Sequence, residues 1–202
     1  MGRLTGLLVD YGGVLTTNLF KSFSDFCESE GLDRGAVAAA FMADKEARRL
    51  LVRFEKGQME EKDFEVALAG KLGVSDEGLI DKLFAGMGAE PAVIEAVAAA
   101  RRQGIATGLL SNSWGHRYDR SRWEELFDAT VISGEVGIRK PDPEIYALAA
   151  ERLGLPPEQI VFVDDIQHNL PPAEEIGMAT VHHTDPEKTV TELEQLLGVK
   201  LR

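Results

Sequence analysis

Three short apolar runs in this 202-residue sequence end in residues able to handle charge. Leu7-Leu8-Val9 runs into Asp10-Tyr11-Gly12-Gly13, Leu109-Leu110 into Ser111-Asn112-Ser113, and Phe162-Val163 into Asp164-Asp165. Carboxylates from two of these ends can hold a hard cation through oxygen, the ligand type that Mg²⁺ takes. A hydroxyl with neighbouring backbone N–H groups from the third can receive phosphate oxygens. A fourth element is Lys140 in Arg139-Lys140-Pro141-Asp142-Pro143, which the following proline holds extended and whose ammonium can stand as a point charge beside a carboxylate and a phosphate. Any one of these residues alone is most often a turn former, a helix cap or a solvated charge. Their coincidence outlines a phosphoryl-transfer site.

Such residues must be brought together by the chain around them. Leu4–Val9, Ile105–Leu110, Ile160–Val163 and Ala179–His182 are compact apolar runs bounded by polar residues, the pattern of strands buried on both faces, and Thr130–Ile132 is a weaker fifth. Helical patterns lie between them: Pro91 opens one that stops at Gly104, and Pro143 opens one that stops at Gly154. This alternation predicts an α/β fold with a doubly wound parallel sheet, whose ligand crevice lies at the carboxyl ends of the strands.

Residues 18–88 break the rhythm with helical periodicity and no strand, and are expected to form an inserted helical cap domain on a core made of 1–17 and 89–202. Phe20, Phe23 and Phe26 are spaced for one helical face, closed by Gly31, and read as core of that segment. Asp33 can cap a run through Val37, Phe41, Leu50 and Phe54 that is long enough for two helices. Phe64, Leu68 and Leu72 form a stripe ending at Gly73, and Ser75 can cap a last helix with Leu79 and Leu83. Trp114, His116, Arg117, Arg120 and Arg122 read as a solvated loop.

Composition narrows the function. With 44% hydrophobic and 28% charged residues the chain is ordinary globular material. Its net charge of −12, without a polybasic run, disfavours nucleic acid and anionic membranes as partners. The single cysteine, Cys27, permits no internal disulfide, and the opening apolar run breaks at Asp10. The expectation is a cytoplasmic protein acting on a small molecule.

In order and in the kind of element that carries each, these four motifs resemble those of the haloacid dehalogenase superfamily, with the helical insertion where that family places its cap. Asp10 matches the nucleophilic aspartate, Ser111 the hydroxyl of the second motif, Lys140 the lysine of the third and Asp164-Asp165 the acidic pair of the fourth. The stretch from Phe162 to Leu170 and the segment Lys140–Tyr146 are similar to the phosphatase domain of soluble epoxide hydrolases. The resemblance implies a Mg²⁺-dependent phosphatase that passes through an aspartyl phosphate on Asp10. It implies a metal held by Asp10, the Gly12 carbonyl and Asp165, with Asp164 behind them. Lys140 would offset anionic repulsion, and Ser111 with the N–H of Asn112 would bind the transferring group. Asn112 and His168 serve equally well as loop ties.

The sequence departs from the family pattern at Gly12, where its phosphatases carry a second aspartate that protonates the leaving oxygen, although some similar branches also carry glycine. Three readings follow: a phosphatase with a substituted acid, a dehalogenase that needs none, and a non-catalytic binding protein. The intact acidic pair disfavours the second and the complete site disfavours the third.

Overall fold

The computed structural model describes residues 3–115 and 118–202; His116 and Arg117 lie outside the described residues. In chain order the elements are β1 (Gly6–Val9), α1 (Leu19–Ser29), α2 (Ala36–Ala43), α3 (Lys45–Glu55), α4 (Glu61–Leu72), α5 (Leu79–Phe84), α6 (Pro91–Arg102), β2 (Ala106–Ser111), α7 (Trp123–Leu126), β3 (Ala129–Ile132), α8 (Ser133–Val136), α9 (Pro143–Leu153), β4 (Ile160–Asp164), α10 (Pro171–Glu175), β5 (Ala179–His182) and α11 (Pro186–Leu197). The five strands form one all-parallel sheet in the order β3-β2-β1-β4-β5.

Alternation along each strand sends side chains to two separate cores. Leu7, Val9, Leu109, Val161 and Val163 pack with Val93 and Val97 of α6 and Leu193 of α11. Leu8, Leu110 and Phe162 face the other way, onto Ile145, Tyr146 and Ala149 of α9. Both faces being covered explains why the strands read as continuous apolar runs. With β1 at the centre, strand order reverses between β1 and β4, and the crevice of a doubly wound sheet opens at such a reversal. Asp10 and the Asp164-Asp165 pair emerge there, one strand apart: the Asp10 N–H still donates to the Val163 carbonyl at 2.9 Å.

Helices α1–α5 gather around a third core containing Phe23, Phe26, Phe54, Phe64, Leu68, Leu79 and Leu83. The chain enters and leaves this segment side by side, through the Thr17 N–H to Gly88 carbonyl bond and the Thr16–Ala89 bridge. Several local expectations need correction. Phe20 is 47% exposed, because Phe23 and Phe26 set the buried face of α1. The long run divides at Asp44, whose carboxylate accepts from the Glu46 and Ala47 N–H groups to start α3. Gly35, not Asp33, precedes α2; Asp33 contributes only its carbonyl, to the Ala36 N–H. The Ser75 hydroxyl accepts from the Glu77 N–H, but α5 begins only after Gly78. No helix among the described residues is long and apolar enough to cross a membrane.

Candidate active site

Lys140 is the centre of the site. It is 1% exposed, and its Nζ lies 2.9 Å from Asp10 Oδ1 and 2.6 Å from Asp164 Oδ2. Burial alone would lower its pKa, but the two carboxylates hold it above the ordinary lysine value. Its backbone is fixed by Asn112, whose Oδ1 accepts from the Lys140 N–H at 2.8 Å while its Nδ2 donates to the Lys140 carbonyl at 3.0 Å. The loop after β2 thus holds the lysine loop by a two-point amide clamp, the tie that either reading of Asn112 allowed. His168 is exposed and plays no comparable part.

The two members of the acidic pair have opposite surroundings. Asp164 is saturated: besides Lys140 it accepts from the Ile166 N–H at 2.8 Å and from Asn169 Nδ2 at 3.1 Å on both oxygens. Asn169 is in turn held through its carbonyl by the Tyr146 hydroxyl at 2.7 Å. Asp165, by contrast, has a buried Oδ1 with no partner. Burial, reinforced by the neighbouring charges of Asp10 and Asp164, pushes its carboxyl up to about 7. Burial also raises Asp10, to about 6, against the opposing pull of Lys140.

Oxygens of Asp10, Asp164 and Asp165 all lie within 4.8 Å of one another. Three carboxylates share one ammonium, and one buried oxygen is unpartnered; such a donor set fits a hard divalent cation, which takes carboxylate oxygens and neutralises their mutual repulsion.

Glycines shape the loop between β1 and the helical segment. Gly13 has φ +80°, and a Cβ there would sit 2.2 Å from Asp165 Oδ2, so only glycine lets this loop close over the acidic residue. Gly12 is different: its φ is not positive, and nothing lies within 4 Å of the Cβ it lacks. Its backbone would accept a side chain.

Ser111 ends β2, and its hydroxyl accepts a hydrogen bond from the Tyr118 phenol at 3.1 Å. The Tyr118 ring packs edge-on against Tyr11, with centroids 4.8 Å apart, and against Trp123 at 5.6 Å; the Tyr11 hydroxyl accepts from the Asp119 N–H at 3.0 Å. The expected solvated loop is therefore wrong in part. Trp114 is half-buried in the helical segment's core, with ring centroids 5.4 to 6.2 Å from Phe23, Phe41, Phe54, Phe64 and Phe84. Arg120 lies over Trp123 and pairs with Glu135, and Arg122 pairs with Glu95 and Glu125 at the surface. His116 and Arg117 fall outside the described residues.

The end of α3 adds contacts that local patterning could not reveal. Glu55 is buried and pairs with Arg139 at 2.5 Å, Lys56 pairs with Asp142 at 2.8 Å, and the Ser133 hydroxyl donates to the Glu55 carbonyl. The two ion pairs bracket Lys140 in sequence. Burial, opposed by Arg139, pushes the Glu55 carboxyl up to about 7.

Residues 4–177 match the sequence family of haloacid dehalogenase-like hydrolases. The chain is 35% identical over 117 residues to bifunctional epoxide hydrolase 2 of Sus scrofa, covering 54% of this chain but only 21% of that protein. It is 28% identical over 153 residues to a sesquiterpene phosphatase of Aspergillus oryzae, covering 72% of this chain and 78% of that one. Among solved structures it resembles a haloacid dehalogenase family enzyme from Bacteroides thetaiotaomicron in complex with magnesium and inorganic phosphate, with TM-score 0.65, 23% identity, and coverage of 90% of this chain and 94% of that one.

Proposed function

Because the chain belongs to the haloacid dehalogenase-like hydrolases, we propose that it is a Mg²⁺-dependent phosphatase acting on a small phosphate ester through an aspartyl phosphate on Asp10. The observation that carries this reading is the imbalance at the strand ends: three carboxylates around a single ammonium, with one carboxylate oxygen buried and unpartnered. A dehalogenase would have no use for that third carboxylate.

Asp10 attacks phosphorus, forming a bond from its carboxylate oxygen as the bond to the ester oxygen breaks; water then hydrolyses the acyl phosphate and frees Asp10 and inorganic phosphate. Lys140 lowers the repulsion between the anionic nucleophile and the anionic ester, and its two carboxylate contacts keep the ammonium at that spot. Asp164 positions Lys140 and is itself fixed by Asn169. The Ser111 hydroxyl and the Asn112 N–H receive oxygens of the transferring group. Asp10, Asp165 and the Gly12 carbonyl would hold Mg²⁺, which when bound supplies positive charge against the phosphoryl oxygens.

Residues 18–88 act as the cap domain that selects the ester, and 1–17 with 89–202 as the core that carries the chemistry. The separate core of α1–α5 and the side-by-side crossing strands at Thr17 and Gly88 support that division. The substrate class that follows is a small phosphorylated molecule.

Purified protein incubated with a panel of phosphate monoesters and 2-haloacids, with Mg²⁺ or with EDTA, tests this reading. Phosphate release that requires Mg²⁺ and disappears in Asp10→Asn, with an unchanged circular dichroism spectrum, is expected. Halide release, or phosphate release that survives the Asp10 substitution, would overturn it.

A further inference from the structure

An alkyl phosphate expels a strongly basic alkoxide, so its cleavage needs a proton donor at the leaving oxygen. Gly12 offers none. The acidic groups around Asp10 are largely committed: Lys140 lies between Asp10 and Asp164, Asp164 accepts from three donors, and Asp165 belongs to the proposed cation site. Tyr118 carries a proton beside the site, and it touches the hydroxyl assigned to the phosphoryl group.

We propose that Tyr118 is the catalytic acid and base of this enzyme, a reading that rests on the phosphatase function above. As Asp10 takes the phosphoryl group, the bond from phosphorus to the ester oxygen breaks and the Tyr118 O–H proton passes to that oxygen, releasing the alcohol. The resulting phenolate then takes a proton from the attacking water as the bond between that water and phosphorus forms and the Asp10–phosphorus bond breaks. Tyr118 ends the cycle as the neutral phenol, and atoms and charge balance without any further reagent.

The geometry supports the assignment. The Tyr118 hydroxyl is 3.1 Å from Ser111 Oγ, one hydrogen bond from the group that would cradle a phosphoryl oxygen. Its ring is wedged between Tyr11 and Trp123, and the Tyr11 hydroxyl ties down the next backbone N–H, at Asp119. A donor held this firmly is organised before substrate arrives. Burial holds the phenol well above the ordinary tyrosine range, opposed by hydrogen bonding to Ser111, so it carries its proton at neutral pH. The Asp10 charge raises it further, and the weaker pull of Lys140 acts the other way.

The test compares an alkyl phosphate with phenyl phosphate, whose phenolate leaving group, with a pKa of about 10, needs little protonation. Wild type, Tyr118→Phe, Gly12→Asp and the double variant are assayed for kcat/KM, which reports transfer to Asp10. Tyr118→Phe should lower kcat/KM for the alkyl ester by roughly 10²–10⁴-fold and leave phenyl phosphate within about tenfold of wild type, with a burst of phenol because water is now poorly activated. Gly12→Asp, which the open space at that backbone admits, should restore most of the alkyl rate in the Tyr118→Phe background. If Tyr118 merely props Ser111, both esters lose kcat/KM equally, and that result overturns the proposal, as does no loss on either. Should the Gly12 variant fail to fold by circular dichroism, the ester comparison in Tyr118→Phe alone decides. A wild type that releases phosphate from no monoester of the panel removes the phosphatase reading itself, a distinct outcome.

Discussion

Two buried ionic centres flank the same loop, and they are built on opposite principles. At the strand ends, Lys140 faces Asp10 and Asp164 with Asp165 beside them, so negative charge exceeds positive and one oxygen is left over. One residue away, Arg139 and Glu55 form a one-to-one pair between the core loop and the end of α3. Burying charge is costly in both places, since desolvation can exceed the Coulombic return. The unbalanced centre can recover that cost by taking up a proton or a ligand cation. The balanced one needs no ligand, and its use is mechanical: with the Lys56–Asp142 pair it presses the helical segment onto the loop that carries Lys140.

The comparison can be broken most forcefully at Lys140. Lys140→Met should abolish phosphate release and, by leaving two buried carboxylates without their cation, destabilise the fold by about 3–5 kcal/mol in urea unfolding without metal. Retained stability would mean that the lysine contributes little to holding those carboxylates in the fold. Asp165→Asn probes the excess charge directly. Without metal the variant should melt above the wild type, because one of three mutually repelling carboxylates is gone. With Mg²⁺ at roughly a hundred times its dissociation constant the wild type should gain about 2.7 kcal/mol and the variant almost nothing. A variant stabilised by Mg²⁺ as much as the wild type would dismiss the proposed ion site.

Glu55→Gln sharpens the other half with a pH titration. A carboxyl raised from 4.5 to about 7 in the folded state binds more protons folded than unfolded, so its contribution is present below 4.5 and is lost as pH rises through 7. Between those limits the wild type should lose up to about 3 kcal/mol relative to Glu55→Gln. Parallel stability curves for the two proteins would show that Glu55 is held ionised by Arg139 throughout.

What could be read from the chain follows from how local each signal is. Strands covered on both faces are near-continuously apolar, so the sheet stands out in the sequence, and the polar residues just past the strands can be located as a set. Asp10, Ser111, Lys140, Asp164 and Asp165 do come together at the reversal between β1 and β4 and its flanks. Partners chosen by tertiary packing leave no such trace. Glu55 meets Arg139 across 84 positions, and nothing in the amphipathic pattern of α3 marks one glutamate as buried. Helix starts leave no side-chain signal where a glycine rather than a side-chain acceptor precedes the helix, as at Gly35 and Gly78. Tyr118 and Trp114 sit in a polar, arginine-rich stretch whose composition suggested solvent, and only the aromatic clusters around them show otherwise.

Trp114 also limits how this architecture can be recombined. The indole belongs by sequence to the loop after β2, three positions past Ser111, yet its ring completes an aromatic cluster supplied by α1, α2, α3, α4 and α5. Residues 18–88 are consequently not a cassette that can be lifted onto another sheet. A graft without a matching indole would carry a hole among five phenylalanines, and the donor left behind would expose a tryptophan on the very loop that presents Ser111. Moving this segment onto another sheet therefore means moving the loop with it, although more than twenty residues of chain separate the two.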